Sequence, residues 1–439
     1  MKVELTSNKK GGNIGLKIEN VTKTEIYFWN MAGCFLNAIS SVLLLVVVNR
    51  ILDIKNSDIF AITFSIAQLM QTIGMFKVRV YQATDVLEKY SFYDYFVFRV
   101  ITCLVMIIAS FLYAFYNQYD SYKSIILILL CLYKASECVS DVFQGKFQQK
   151  ERLDLAGKAI SIKVVISSIL FIVLLLITHN LFFATLLLTI SSIIILLVYD
   201  YGIYKKLTNT TISFFSEKVR LENIYHLFLK CLPMFINSFL ITSTFNIPKT
   251  VIDLFINEGV FETGMQTYYN ILFMPAFVMS LITLIFRPQL TSMANYRNNK
   301  EYNKLGKTVK HIIIMMCLCF IICLLGGYFL GIPILSILYG TEDMLYRYKS
   351  VLLIIIIGGG FNALAYVMDD IITIFRKQKY VMISYVLSWL FCKLSIKYLM
   401  MNFGLNGAAV AFAMSMFILM LSNVIILIVC SKMEVTKNA

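Results

Sequence analysis

Apolar stretches about as long as a bilayer is thick recur along the whole chain, at 27–48, 58–76, 95–116, 123–143, 160–178, 181–199, 226–247, 266–286, 311–330, 350–371, 381–400 and 406–430. A helix rising 1.5 Å per residue needs about 20 residues to cross a hydrocarbon core of about 30 Å. In lipid a backbone satisfies its own hydrogen bonds only as a helix or a closed barrel. Runs of this length, without the short alternating segments of a barrel, dictate an all-α polytopic membrane protein with twelve transmembrane helices. Composition agrees: 59% of residues are hydrophobic and 15% charged, where a soluble domain carries about 25% charge. The segment GIPILSILYG, residues 331–340, is too short to cross and is expected to lie at the interface or to re-enter.

The formal charge of +14 raises the question of a nucleic-acid partner, and its placement answers it. With the N-terminus inside, more than two-thirds of the 39 Lys and Arg fall in the termini and inner loops, densely in KFQQKERLDLAGK and RNNKEYNKLGKTVK. This is the positive-inside bias of loops beside anionic headgroups. It implies a multi-pass protein of the cell membrane with both termini cytoplasmic, surrounded by membrane lipids and with no nucleic acid as partner. The first apolar run is too long for a cleaved signal and no small-residue site follows it. The ten Cys lie in or at the edges of spans without paired C-x-x-C spacing, and the His at 179, 226 and 311 are scattered. No cofactor or metal is therefore expected. No loop is long enough to fold as a catalytic domain, which argues against an enzyme.

The longest polar connection, 200–225, separates six spans from six. The chain divides into an N-terminal cytoplasmic segment 1–26, a six-helix bundle 27–199, a cytoplasmic linker 200–225, a second six-helix bundle 226–430 and a cytoplasmic tail 431–439. A local echo points to duplication: Asp141, Gln149 and Lys150 recur at identical spacing as Asp370, Gln378 and Lys379. Six spans between equivalents make the bundles parallel repeats. All five Pro, at 233, 248, 275, 288 and 333, fall in the second bundle, which marks it as the half that bends.

The fourth span, SIILILLCLYKASECVSDVFQGKFQQ, carries Lys134, Glu137, Asp141 and Gln144 before any turn signal. At 100° per residue these sit at about 0°, −60°, −20° and −80°, on one narrow helical face. A charge at the bilayer centre costs about 2.5–3.5 kcal/mol, so that face must turn inward. Either Lys134 and Glu137 pair at i and i+3 to lock the bundle, or the face lines a cavity. Asn30, Asn37, Gln68, Gln71, Arg99 and Lys163 in neighbouring spans favour a polar cavity in the first half. Glu137 and Asp141 lie one turn apart, and two such carboxylates in a low dielectric resist ionising together. They are candidates, with Asp370, for coupling or gating through H+ or Na+.

The six-plus-six plan, SECVSDVFQGKFQQKERL, the pair NIPKTVIDLF and EGVFETGMQTYYNILFMP, and the closing segments LYGTEDMLYRYKSVLLIIIIGGGFNALAY and NFGLNGAAVAFAMSMFIL resemble the polysaccharide-transporter branch of the multidrug/oligosaccharidyl-lipid/polysaccharide flippase superfamily. The resemblance implies a V-shaped transporter of two six-helix bundles, with a lumen open to one side at a time. It further implies export of a polyprenyl-diphosphate-linked oligosaccharide for surface polysaccharide (O-antigen, capsule or exopolysaccharide), beside a polymerase and glycosyltransferases of the same pathway. A diphosphate calls for cations in a low-dielectric cavity. Arg79, Arg99, Lys134, Lys249 and Arg287 are the candidate contacts to it, and Gln144 is a candidate lumen contact to phosphate or sugar. Two rivals remain. A multidrug and toxin extrusion antiporter would favour a lumen dominated by carboxylates. A membrane polysaccharide polymerase or glycosyltransferase would need a substantial outer loop.

Overall fold

The structure, a computed structural model, describes residues 21–438 except 86–87, 209–219, 283–288, 290–292, 294, 298, 300 and 376. Arg287, Pro288, the first twenty residues and most of the central linker therefore lie outside the described residues. Among the described residues there is helix and no strand. The helices are α1 (Lys23–Ile51), α2 (Ile54–Met75), α3 (Val78–Thr84), α4 (Phe92–Tyr116), α5 (Ser121–Gln149), α6 (Leu153–Thr178), α7 (Leu181–Ile195) and α8 (Tyr201–Thr208). They continue with α9 (Leu221–Asn257), α10 (Met265–Ile282), α11 (Tyr302–Gly326), α12 (Ile332–Tyr339), α13 (Lys349–Ile374) and α14 (Val381–Asn438).

Local chemistry sets the ends. Ser91 and Asp94 form a reciprocal capping box at the start of α4, and the Asp120 carboxylate accepts from Lys123 N–H at the start of α5, each satisfying amides that a helix leaves unpaired. Phe76 and Lys77, both left-handed at φ 42° and 55°, break α2 from α3. Gly404, at φ 57° and ψ −137°, folds α14 into two arms, a conformation open to glycine because it lacks a Cβ.

Each expected span falls on helix wherever its residues are described, except at Phe76, where α2 has already ended. Among those residues nine stretches are long and apolar enough to cross by themselves, the last being Val381–Val429 with Gly404 inside it. The charged α5 and the 18-residue α10 lie outside that set. The segment 331–340 differs from expectation. It does not re-enter but prolongs α11 as α12 through the π-helical turn Gly327–Gly331. Pro333 would clash with the carbonyl four residues earlier in a regular helix. The wider turn just before it provides the adjustment.

In lipid the apolar faces have no reason to leave the solvent, so helices associate through close packing and polar ties. α2, α4, α5 and α7 pack together, α1 lies along α6, and α9, α10, α13 and α14 form a second set. The α1–α6 contact is backbone on backbone: a Cβ on Gly33 would come within 2.7 Å of the Gly157 carbonyl oxygen. The two sets meet chiefly along α2, which touches both α9 and α10.

Candidate functional site

Where α1, α2 and α5 face α9 and α10 there is a cavity of about 300 Å³, lined by hydroxyls and amides including Ser41, Gln68, Gln71 and Asn270. It adjoins a second space of about 350 Å³ bounded by Thr242, Asn246 and Tyr366. Among the described residues three ionisable side chains line the first: Lys134, Glu137 and Lys249. Lys134 Nζ donates to both Glu137 oxygens, at 3.1 and 2.9 Å, and Gln71 Nε2 donates to Glu137 Oε2 at 2.7 Å. Across the cavity, Lys249 Nζ donates to Ser65 Oγ at 3.3 Å and sits 4.9 Å from the Phe273 ring centroid. Ser65 Oγ in turn donates to Asn270 Oδ1 at 3.1 Å. The wall thus offers two ammonium groups, one from each helix set, and one carboxylate.

The rest of the ladder on α5 has other destinations. Asp141 accepts from Arg99 Nη2 at 2.8 Å and Arg79 Nη1 at 3.3 Å. Arg99 is fully buried and also donates to the Gly74 carbonyl at 2.6 Å, so it ties α4 to α2 and α5 and does not line the lumen as expected. Gln144 Oε1 accepts from Arg79 at 2.8 Å, and Gln144 Nε2 donates to Ser140 Oγ at 3.0 Å. Ser140 Oγ donates to Asp200 at 2.5 Å, and Asp200 is also 3.2 Å from Lys163 Nζ. The narrow face splits because different helices pack around it. Glu137 and Asp141 each hold their own cations, so the expected mutual repulsion of a shared carboxylate pair is relieved in this geometry. Asp370 is half-buried near the end of α13, next to Asp369, whose carboxylate accepts from Tyr385 Oη at 3.0 Å. Beyond the end of α5, Glu88 accepts from Lys146 and from Lys150, both at 2.9 Å, and these bonds hold its carboxyl below the usual range.

The end of the bundle where α1 turns into α2 is closed by bonds between the two sets. Lys123 Nζ donates to Asp253 Oδ1 at 2.5 Å and Tyr119 Oη to Asp253 Oδ2 at 2.9 Å. Asp58 accepts from Gly264 N–H at 2.5 Å, Thr267 N–H at 2.8 Å and Thr267 Oγ1 at 2.6 Å. Asn49 donates to the Tyr339 carbonyl at 2.9 Å, and Arg50 to those of Leu338, at 2.7 Å, and Ile337. Sequence reasoning did not single out Lys123, Asp253 or Asp58 for this closure. Asp58 at the start of an apolar span was a visible signal and Asp253, between two spans, was not, and the partners lie 130 or more residues apart. Among the described residues no group of three His, Cys, Asp or Glu is arranged to hold a metal.

Two sets of helices around a polar cavity closed by bonds at the α1–α2 end form a fold that is also seen in solved transporters of the MOP superfamily. An inward-facing multidrug resistance MATE family transporter superposes with a TM-score of 0.65 at 12% identity, covering 95% of this chain and 97% of that one. The lipid II flippase MurJ gives 0.64 at 14% identity over 92% and 86% of the two chains. A MOP superfamily transporter from Pyrococcus furiosus, described as having a binding pocket of reversed polarity, gives 0.62 at 10% over 91% and 93%. The sequence itself matches the profile of the polysaccharide biosynthesis protein family over residues 25–288, and the chain belongs to that family. Among curated proteins no sequence match is found.

Proposed function

We propose that the protein is a flippase moving a polyprenyl-diphosphate-linked oligosaccharide from the inner to the outer leaflet of the cytoplasmic membrane for surface polysaccharide synthesis. The observation that carries this reading is the cavity with Lys134 on one wall and Lys249 on the other. Two ammonium groups in a low-dielectric space suit a diphosphate, and the amides and hydroxyls around them suit sugar. The prenyl chain stays in lipid. On the positive-inside rule both termini lie in the cytoplasm and the end closed by Asp253 and Asp58 faces outside. Glycosyltransferases would supply the cargo on the inner face and a polymerase would consume it on the outer. Family membership supports a place in polysaccharide biosynthesis, and the fold supports alternating access. A cation antiporter is less favoured, because Lys134 already neutralises Glu137, the one carboxylate lining the first space.

The test uses vesicles of purified protein and a short-chain prenyl-diphosphate glycan, scored by a membrane-impermeant enzyme that modifies the sugar. Wild type should transfer it, whereas Lys134→Ala and Lys249→Ala should each lose on the order of tenfold or more in rate, as expected when a charged contact to phosphate is removed. Wild-type rates for both variants, or no transfer by wild type, would overturn the proposal.

A further inference from the structure

We infer that Glu137 is a built-in substitute for the phosphate of the cargo, holding Lys134 while the cavity is empty and yielding it when a diphosphate enters. The inference rests on the flippase reading above and deepens it. Two other pairs buried within the spans of the N-terminal set bridge helices: Arg99 on α4 meets Asp141 on α5, and Lys163 on α6 meets Asp200 at the end of the π-helical turn after α7. Lys134 and Glu137 share one helix, three residues apart. A pair of that kind adds little to helix packing, and the bond that Glu137 accepts from Gln71 on α2 does not need Lys134, so holding the bundle together does not account for the pair.

Its placement does. The pair lines the cavity, with side chains 8% and 12% exposed, and both carboxylate oxygens lie on the ammonium as two phosphate oxygens would. An ammonium in the membrane interior with no counter-ion is costly, and the protein must pass through an empty state in every cycle. Glu137 meets that need from within the same helix. Gln71, from α2, donates to Glu137 Oε2 and keeps hold of the carboxylate when Lys134 swings to the cargo. The same competition works in reverse at the release step, where Glu137 reclaims Lys134 and displaces the phosphate. Glu137 is thus a positioning residue that lowers cargo affinity and speeds release.

Glu137→Gln keeps the length and a hydrogen bond to Gln71 but cannot compete for the ammonium. The probes are farnesyl diphosphate and inorganic pyrophosphate, titrated onto the full-length protein in phosphatidylcholine nanodiscs, with transport followed in vesicles. Glu137→Gln should bind farnesyl diphosphate on the order of tenfold tighter and lower both KM and kcat for transport, with an unchanged melting temperature. Glu137→Asp, which restores the carboxylate, should return both constants toward wild type. Pyrophosphate should show the same ordering of variants if the exchange is with the diphosphate itself, and no ordering if the tightening comes from the lipid chain, which would count against the inference. Wild-type binding with no gain in Glu137→Gln, or a gain without slower turnover, overturns the inference alone. No binding of farnesyl diphosphate by wild type overturns the flippase reading as well.

Discussion

The two halves of the molecule treat charge in opposite ways. Among the described residues the N-terminal half buries ten charged side chains, from Asp58 to Asp200, whereas the C-terminal half buries two, Lys249 and Asp253. Most of the former are satisfied within their own half, as in the Arg79–Asp141–Arg99 and Lys163–Asp200 groups. Both of the latter bond across to the other half, Lys249 to Ser65 and Asp253 to Lys123 and Tyr119. The C-terminal half instead carries proline inside its helices, at 233 and 248 in α9 and at 275 in α10. One half is therefore laced by buried ion pairs that resist deformation. The other is jointed, and its buried charge sits at the seam.

The largest effect that would sharpen this contrast is on stability. Arg99→Met leaves the Gly74 carbonyl without its guanidinium donor and Asp141 with Arg79 alone, and breaking a buried pair in this way costs about 3–5 kcal/mol. Lys249→Met removes a charge of the same sign from the other half, where its bonds are to a hydroxyl and a ring, and should leave thermal stability unchanged or slightly higher. Melting in detergent compares them, and equal losses would erase the distinction. A smaller, conformational effect is expected at the seam. Asp253→Asn weakens the Lys123 and Tyr119 bonds and should raise the population open at that end. In a Cys-depleted background, a cysteine at Ser41 in the cavity wall should then react several-fold faster with an impermeant maleimide added outside, a change worth about 1 kcal/mol; an unaltered rate would mean that Asp253 does not hold the closure. The smallest effect concerns pH. Lys146 and Lys150 lower the carboxyl of Glu88 below its usual range, so its contribution is complete above the ordinary carboxylate pKa and is lost as pH falls through the depressed value. Wild type should lose slightly more melting temperature than Glu88→Gln on acidification below about pH 4.5. Parallel curves would remove Glu88 from the lacing of the N-terminal half.

Much of this could be read from residue order. Span-length apolar runs predict the helices, Lys134 and Glu137 stand out because charge inside lipid demands an interior face, and Lys249 is a candidate because the family resemblance implies a diphosphate cargo. Periodicity could not say which neighbour each residue of that face would meet. Within about 80° of one helix, Glu137 turns to Gln71, Asp141 to Arg99 and Gln144 to Arg79, since each depends on what packs against that turn. Arg99 is an example: its place in a span marked it as important, but only the fold reveals that it holds α2, α4 and α5 together. Asp200 was hidden for a different reason. It stands one residue past the apparent end of the sixth span, where it reads as loop, and a π-helical turn carries it to Lys163.

The closure at the α1–α2 end is written mostly in main-chain atoms on the C-terminal side. Arg50 and Asn49 grip the carbonyls of residues 337 to 339, and Asp58 grips the amides of Gly264 and Thr267. Every residue type presents a carbonyl, and every one but proline presents an amide. The stretch 337–339 can therefore change side chains over evolutionary time without loosening the seam, provided the backbone path and its free carbonyls persist, whereas Gly264 at φ 101° and the Thr267 hydroxyl remain constrained. Selection on these main-chain bonds falls unevenly, constraining three side chains on one half and chiefly a backbone trace on the other. Such a seam lets the two halves drift apart in sequence while still fitting each other.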